Sequence, residues 1–431
     1  MKKWQVLLGV FGVSLLVGAG FLLKPIFEYV ATARNEMMEV PELRLYLNGI
    51  SLEDIRAGDK SIKYEDNRLV VEEENHKIEF NDVQVKGRGN STWERPEKIP
   101  LQIKFKRKID LLGLGERKKY ILLANYFDYS FLRNDAMFKI TEMLNSRYRS
   151  QGKFVELLID DEYQGMYYLM TKIELGKGGV DIRDEYAGLF ELDTMYGELD
   201  AVYAMNCSYS KVGECLILKD AVFEDDENMS KEVIKNFIEQ FNLLEAAAKE
   251  RDFKTVEETV DVESFVEYFL ISEFAVNPDA YLSSFNFYKN GIDDKIHAGP
   301  LWDFDFAFGN RGENTDSYSP EIFMSQKEQI FTEENDYLDT GKLMYYLMEI
   351  PEFEEEVARL WREKLSGRKD ELLIHISKQA DYIKEAALRD EAKWREEAFF
   401  ESEVEYLLDW VARRYDFFEE RYGEEAVKAV L

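Results

Sequence analysis

The spacing of apolar residues changes along this chain, and that change limits the fold more than any single motif. Between Leu43 and Met170, apolar residues recur at every second position in short runs, the period of a half-buried strand. Leu43, Leu45 and Leu47 alternate with polar residues before Asn48-Gly49, a turn signal. Ser61–Glu65, Arg68–Val71, Lys77–Phe80 and Val83–Lys86 read as further short strands, with Asp66-Asn67 separating the first two. In Leu101–Lys106, Leu101, Ile103 and Phe105 share one face and Gln102, Lys104 and Lys106 the other. Phe154–Ile159 and Met166–Met170 read as a hairpin about residues 160–165. Between the Leu101–Lys106 strand and this hairpin lies a helix capped by Asp128 or Ser130, with Leu132, Ala136, Met137, Ile140 and Leu144 as its buried stripe. Residues 221–231 are acidic and read as a loop. Helical spacing then dominates over 231–275 and again at the end. There Val404, Leu407, Leu408, Val411, Tyr415 and Phe418 lie on one helix face. The layout is a β-rich N-lobe over 42–175, then a mixed and helical C-lobe over 176–431. No internal repeat breaks it.

Composition narrows the classes of function. The 431 residues are 45% hydrophobic and 14% aromatic, enough to bury a large core, which excludes a disordered chain. With 55 basic against 86 acidic residues the net charge is −31. Such a surface argues against nucleic acid as a partner, because gripping a polyanion needs a basic face. Cys207 and Cys215 are the two cysteines, and His76, His297 and His375 lie far apart. This count and spacing argue against a zinc site of the Cys/His type. One short-loop disulfide and two free thiols both stay open.

Lys2 and Lys3 precede an uncharged run from Trp4 to Leu23, ended by Lys24 and Pro25. Such a run can span a bilayer core of about 30 Å. It is long for a cleaved signal, whose apolar stretch is roughly 7–15 residues. Ala31-Thr32-Ala33 lies well downstream of it. Residues 1–41 therefore read as an N-terminal transmembrane anchor and linker. The basic N-terminus then places the large domain outside the cytoplasm.

Four stretches carry candidate chemistry. In Gly87-Arg88-Gly89-Asn90-Ser91-Thr92-Trp93, two glycines let backbone approach a ligand, and Arg88 adds a donor suited to phosphate. A simple turn is the commoner reading of such a pair. Lys104 projects from the polar face of its strand and can meet a nucleotide phosphate as a point charge. With Lys98, Lys106 and Lys108 nearby, a solvated lysine is the better reading on local sequence alone. In the stretch from Asn277 to Tyr288, Asp279 is followed seven residues later by Asn286. In phosphoryl transfer a carboxylate positions or deprotonates the nucleophile, and a nearby Asn helps hold Mg²⁺. A helix-ending turn capped by Asn and Asp fits equally. The sharpest stretch is Gly299-Pro300-Leu301-Trp302-Asp303-Phe304-Asp305-Phe306. Two carboxylates in an apolar segment are costly unless they are paired or bind metal. Alternation would put Asp303 and Asp305 on one face as hard oxygen ligands and the aromatic rings on the other.

These stretches, in this order, resemble the CotH kinase family, the spore-coat-type atypical protein kinases. The likeness is carried by Arg88-Gly89-Asn90-Ser91-Thr92-Trp93, by the run from Lys98 to Phe105 and by the run from Leu122 to Asn134. It continues through Glu162-Tyr163-Gln164-Gly165-Met166-Tyr167, the Asp279–Asn286 loop and Trp302-Asp303-Phe304-Asp305, with Trp394 and Trp410–Arg414 in a helical tail. The resemblance implies a two-lobed, kinase-like α+β fold that transfers the γ-phosphoryl of ATP to a Ser or Thr of a protein, with Mg or Mn. It implies Lys104 and Arg88 at the phosphates, Asp279 as catalytic carboxylate, and Asp303, Asn286 and Asp305 as metal residues. One departure stands out. Thr171-Lys172 falls where relatives are expected to carry a glutamate, and Glu174 is displaced. A non-catalytic, nucleotide-binding assembly scaffold is therefore a second reading. A metal-dependent glycosyltransferase using Asp303-Phe304-Asp305 is a third, though it leaves Lys104 and the Asp279–Asn286 loop without a role.

Overall fold

The computed structural model describes residues 39–424, apart from 74–75, 90, 95–97, 194–202, 207–214, 224–225, 282–283, 311–317 and 327–338. The first seven strands are β1 (Glu42–Tyr46), β2 (Tyr64–Glu73), β3 (His76–Gly87), β4 (Leu101–Asp110), β5 (Glu116–Leu123), β6 (Gly152–Ile159) and β7 (Glu162–Thr171). They close into a barrel in the order β1-β2-β3-β4-β5-β7-β6. Short helices α1 (Leu52–Ala57) and α2 (Ser91–Glu94) decorate it, and α3 (Arg133–Leu144) leaves it between β5 and β6. The alternation seen in sequence points inward. Leu43, Leu69, Val85, Ile103, Leu122, Leu157 and Leu169 are fully buried in one core.

Two strand readings change. The Asp66-Asn67 pair does not separate strands but sits inside one long strand. Asp66 and Asp82 take positive φ (61° and 57°), and the β2–β3 register shifts beside Asn67. Asn67 replaces lost ladder bonds, its amide donating to the carbonyls of Tyr64 and Val83 and accepting from the amide of Asn48. These are β-bulges, which bend a strand enough to help a sheet close.

A second sheet follows, from β8 (Ala187–Asp193), β9 (Tyr203–Asn206), β10 (Cys215–Ala221), β11 (Phe285–Asn290) and β12 (His297–Ala298). Its order is β12-β11-β8-β10-β9. Between β10 and β11 run α4 (Glu227–Glu250), α5 (Phe253–Thr259) and α6 (Val262–Ala275). Phe237 and Phe241 of α4 pack on Phe190 and Phe287 of the sheet. The chain ends in α7 (Asp339–Met348), α8 (Pro351–Lys364), α9 (Lys369–Trp394) and α10 (Phe400–Tyr422). On α10, Leu407, Trp410, Val411, Tyr415 and Phe418 form the expected buried stripe.

The expected fold class needs correction. The β-rich region is a closed seven-stranded barrel, not the N-lobe of a two-lobed kinase-like fold. Its closure depends on parallel pairing of β1 with β6, strands more than a hundred residues apart, a contact that alternation does not reveal. The helical tail also returns to the barrel. Lys98 Nζ donates to Asp390 of α9 and to the carbonyl of Met166, and Trp394 donates to the carbonyl of Gln164 at 2.9 Å. Residues 40–431 accordingly form one compact unit. No helix among the described residues is long and apolar enough to cross a membrane. The run Trp4–Leu23 lies outside them, as does Cys207. The expected transmembrane helix, and the membrane location built on it, therefore have no support in the structure.

Candidate active site

Three segments meet to form the site: residues 125–134 leading into the start of α3, 276–281 after α6, and 299–310 after β12. The first holds a buried cation. Arg133 donates to the Ala307 carbonyl at 3.0 Å and pairs with Asp128 and Glu403. Asp128 also accepts the backbone N–H of Arg133 at 2.9 Å, and Ser130 Oγ that of Leu132 at 3.2 Å. Both residues expected to cap the helix therefore act at its start.

These contacts fix the third segment. Asn134 Oδ1 accepts the Phe304 amide at 2.9 Å, and Asn310 donates to the Phe127 carbonyl at 3.0 Å. The Phe308 amide donates to the carbonyl of Ala275, the last residue of α6, at 2.6 Å. The segment is thus tied to its neighbours rather than paired as a strand. The expected alternation over Trp302–Phe306 is absent. Phe304 is buried, Asp303 is exposed with φ 69°, and Asp305 is half-buried. A non-glycine residue in the left-handed region is unfavourable and persists where surrounding bonds over-determine it.

The second segment brings Asp279 to the same place. Val276 turns the chain out of α6 with positive φ (47°). Asn277 Oδ1 accepts the Asp279 amide at 3.1 Å, while its Nδ2 reaches the Asp303 carbonyl at 3.5 Å. Asp279 keeps an exposed face. The protein packed around it, and then the Asp303 charge, push its pKa up to about 6. Burial pushes the Asp305 carboxyl well above its usual range, with Asp303, Asp128 and Asp279 adding to the effect. Acidic groups from three segments thus crowd within electrostatic reach of one another.

Asn286 lies on β11, fully within the protein. Its Nδ2 donates to the carbonyls of Ser284 and Pro300, both at 3.1 Å. Both amide hydrogens are used on backbone, so the side-chain oxygen points away from them and can act as an acceptor or ligand. Arg88 stacks over the Trp302 ring at 4.7 Å, which brings the glycine-rich segment beside Asp303. Lys104 lies on the outer face of the barrel, opposite Gln84 on one side and Lys119 on the other. Among the described residues, no group of three or more His, Cys, Asp or Glu side chains is spaced to hold a metal ion. A divalent ion here would depend on one or two carboxylates, an amide oxygen, water and a ligand's own oxygens, which is how Mg²⁺ is commonly held.

A protein-family model described as CotH kinase protein matches residues 85–418. The chain belongs to the CotH kinase family. All six candidate residues lie inside the matched span, and family membership points to a kinase-like function. No curated protein matches the sequence. Residues that sequence reasoning gave no role are Arg133, Asn134, Asn277 and Asn310. Each spends its side chain on backbone of another segment. The signal that could have flagged Arg133 and Asn134 is their place at the end of the Leu122–Asn134 stretch. At the Thr171-Lys172 departure, the Thr171 hydroxyl accepts the Gln151 amide at 3.2 Å, so this position serves the pairing of β6 with β7.

Proposed function

We propose that the chain transfers the γ-phosphoryl group of ATP to a Ser or Thr hydroxyl of a protein, with Mg or Mn as the accompanying cation. The observation that carries this reading is the meeting of Asp279 and Asp303, from segments on either side of β11 and β12, beside Asn286. Asp279 would accept the proton of the acceptor hydroxyl. A pKa near 6 leaves it ionised at neutral pH and still basic enough to be useful. Asp303, Asn286 and Asp305 are the residues that would hold the cation, which would neutralise charge on the phosphates. Arg88, fixed over Trp302, and Lys104, on the barrel wall, would contact phosphate oxygens. Phosphoryl transfer asks for positioning and charge stabilisation more than covalent chemistry, and a site built from three tied segments suits that demand.

The Thr171-Lys172 departure, where Thr171 bonds the Gln151 amide in place of an acidic side chain, favours a second reading, a nucleotide-binding scaffold without transfer. The two separate on one assay. Wild type incubated with γ-labelled ATP and a mixture of acceptor proteins, with Mg²⁺ or Mn²⁺, should label protein on Ser or Thr, and Asp303→Asn should not. Nucleotide binding without label transfer in wild type would favour the scaffold.

A further inference from the structure

Residues 104–119 hold seven basic and two acidic residues, in a chain whose net charge is −31. Phosphoryl transfer uses Lys104 at most and leaves the other cations without a task. The barrel wall sets them out in a particular way. The pairing of β3 with β4 ends at Gln84 and Lys104, and the pairing of β4 with β5 skips from Lys104 to Ile109. Residues 105–108 therefore stand outside both ladders, against Lys118 alone on β5. Such a bulge leaves backbone unpaired and spreads its side chains. Lys106, Arg107, Lys108 and Lys118 are all exposed. The loop after β7 joins them. Arg117 of β5 donates to the Lys177 carbonyl at 3.3 Å, and the Lys108 ammonium lies 3.8 Å from the place of a Cβ on Gly176. Lys177 is exposed as well.

Acidic groups border this strip. Asp82 pairs with Lys106 at 2.9 Å, and Asp66 and Glu65 lie within electrostatic reach of it. On the β7 side, Asp181 lies within reach of Lys177 and Lys108. At the hairpin end Asp110 stands opposite Glu116. Inside these borders Arg107, Lys108 and Lys118 form no ion pair among the described residues. Crowded like charges lower stability. Guarding an unpaired strand edge is one use for lysine. Lys118 and Lys177, which lie beyond that edge, are not explained by it.

We propose that this strip docks an extended, acidic segment of a partner protein. The inference is independent of the phosphoryl-transfer reading. Exposed cations beside unpaired strand backbone offer an extended chain both charge complementarity and main-chain hydrogen bonds. The acidic borders select a narrow partner. A nucleic acid or a bilayer surface would run past the strip onto acidic surface that repels it. A second copy of this chain carries the same net charge of −31 and is repelled as a whole.

The test is fluorescence anisotropy of the full chain with a labelled peptide of Asp, Glu and Ser. A control peptide of equal length carries Asn and Gln in place of the acids. One variant combines Arg107→Gln, Lys108→Gln and Lys118→Gln. A second combines Lys235→Gln, Lys254→Gln and Lys384→Gln, exposed residues elsewhere that change net charge equally. Wild type should bind the acidic peptide and not the control, with affinity falling as salt rises. The strip variant should bind about tenfold more weakly or worse, and the remote variant close to wild type. Equal binding of both peptides by wild type overturns the proposal whatever the variants do. An equal loss in both variants also overturns it, since net charge would then suffice. So does strip-dependent binding of phosphatidylserine vesicles, or strip-dependent dimerisation, by a chain that ignores the acidic peptide.

Discussion

Two groups of buried or crowded charge in this molecule are built on opposite rules. Where α9 meets the barrel, Lys98 and Asp390 form a closed pair, further bonded by the carbonyl and amide of Met166. Burial lowers the Lys98 ammonium's pKa and raises the Asp390 carboxyl's, and each charge opposes the effect on the other. Where the three loops meet, Asp279, Asp303 and Asp305 gather like charges, and the neighbours raise the pKa further instead of opposing it. A compensated pair fastens architecture. A gathering of like charge costs stability and persists where something else, such as a cation or a phosphate-bound metal, completes it.

The contrast is broken most strongly by removing the proposed base. Asp279→Ala should lower phosphoryl transfer by on the order of 10²–10⁴, the usual cost of losing a general base. Its urea midpoint should stay at or above that of wild type, because a repulsive neighbour is gone. A parallel loss of midpoint and transfer would make Asp279 architectural. At the closed pair the pattern should invert. Lys98→Met leaves Asp390 buried without its cation and should cost about 3–5 kcal/mol in urea unfolding. Replacing both residues by apolar ones should recover much of that loss, whereas an additive result would show that the two side chains do not act as a pair.

A third carboxyl sharpens the comparison through pH. Burial, with Glu263 and Asp261 nearby, pushes Glu267 of α6 from 4.5 up to about 7. The folded state then holds a proton that the unfolded state has released, so its contribution to stability falls as pH rises from about 4.5 to about 7. Glu267→Gln should remove that fall and be the more stable protein at pH 8, by roughly 1–3 kcal/mol. Denaturation curves at pH 4 and pH 8 check the sign, and an effect larger at pH 4 contradicts it. The smallest effect belongs to the surface. Lys384 pairs with Glu401 in the open, with side chains 45% and 66% exposed. Lys384→Ala should leave the urea midpoint where it is, since exposed pairs add little.

What sequence revealed divides along the same line. Strand alternation was legible because one face of each strand enters a single core, as at Leu101, Ile103 and Phe105. The α10 stripe was legible for the same reason at helical period. Barrel closure was not, because β1 and β6 are distant in sequence and pair in parallel. The bulge at Asp66 was misread because an Asp with positive φ looks like a turn whether or not the strand continues. Asp279, Asn286, Asp303 and Asp305 stood out by residue type, whereas Arg88 and Lys104 came forward through the family resemblance. The residues that hold their loops in place, such as Asn134 and Asn310, bond to backbone far away in sequence, and no local pattern announces such a bond.

The central claim is that the crowded carboxylates are arranged for a cation carried with nucleotide. Thermal unfolding of the full chain, with and without Mn²⁺ plus a non-hydrolysable ATP analogue, tests it directly, because a ligand bound only by the folded state raises the melting temperature. The account predicts a concentration-dependent rise for wild type that is lost in Asp303→Asn, whose melting temperature without ligand is at or above the wild-type value. An equal rise in both proteins, or none in wild type, would contradict it.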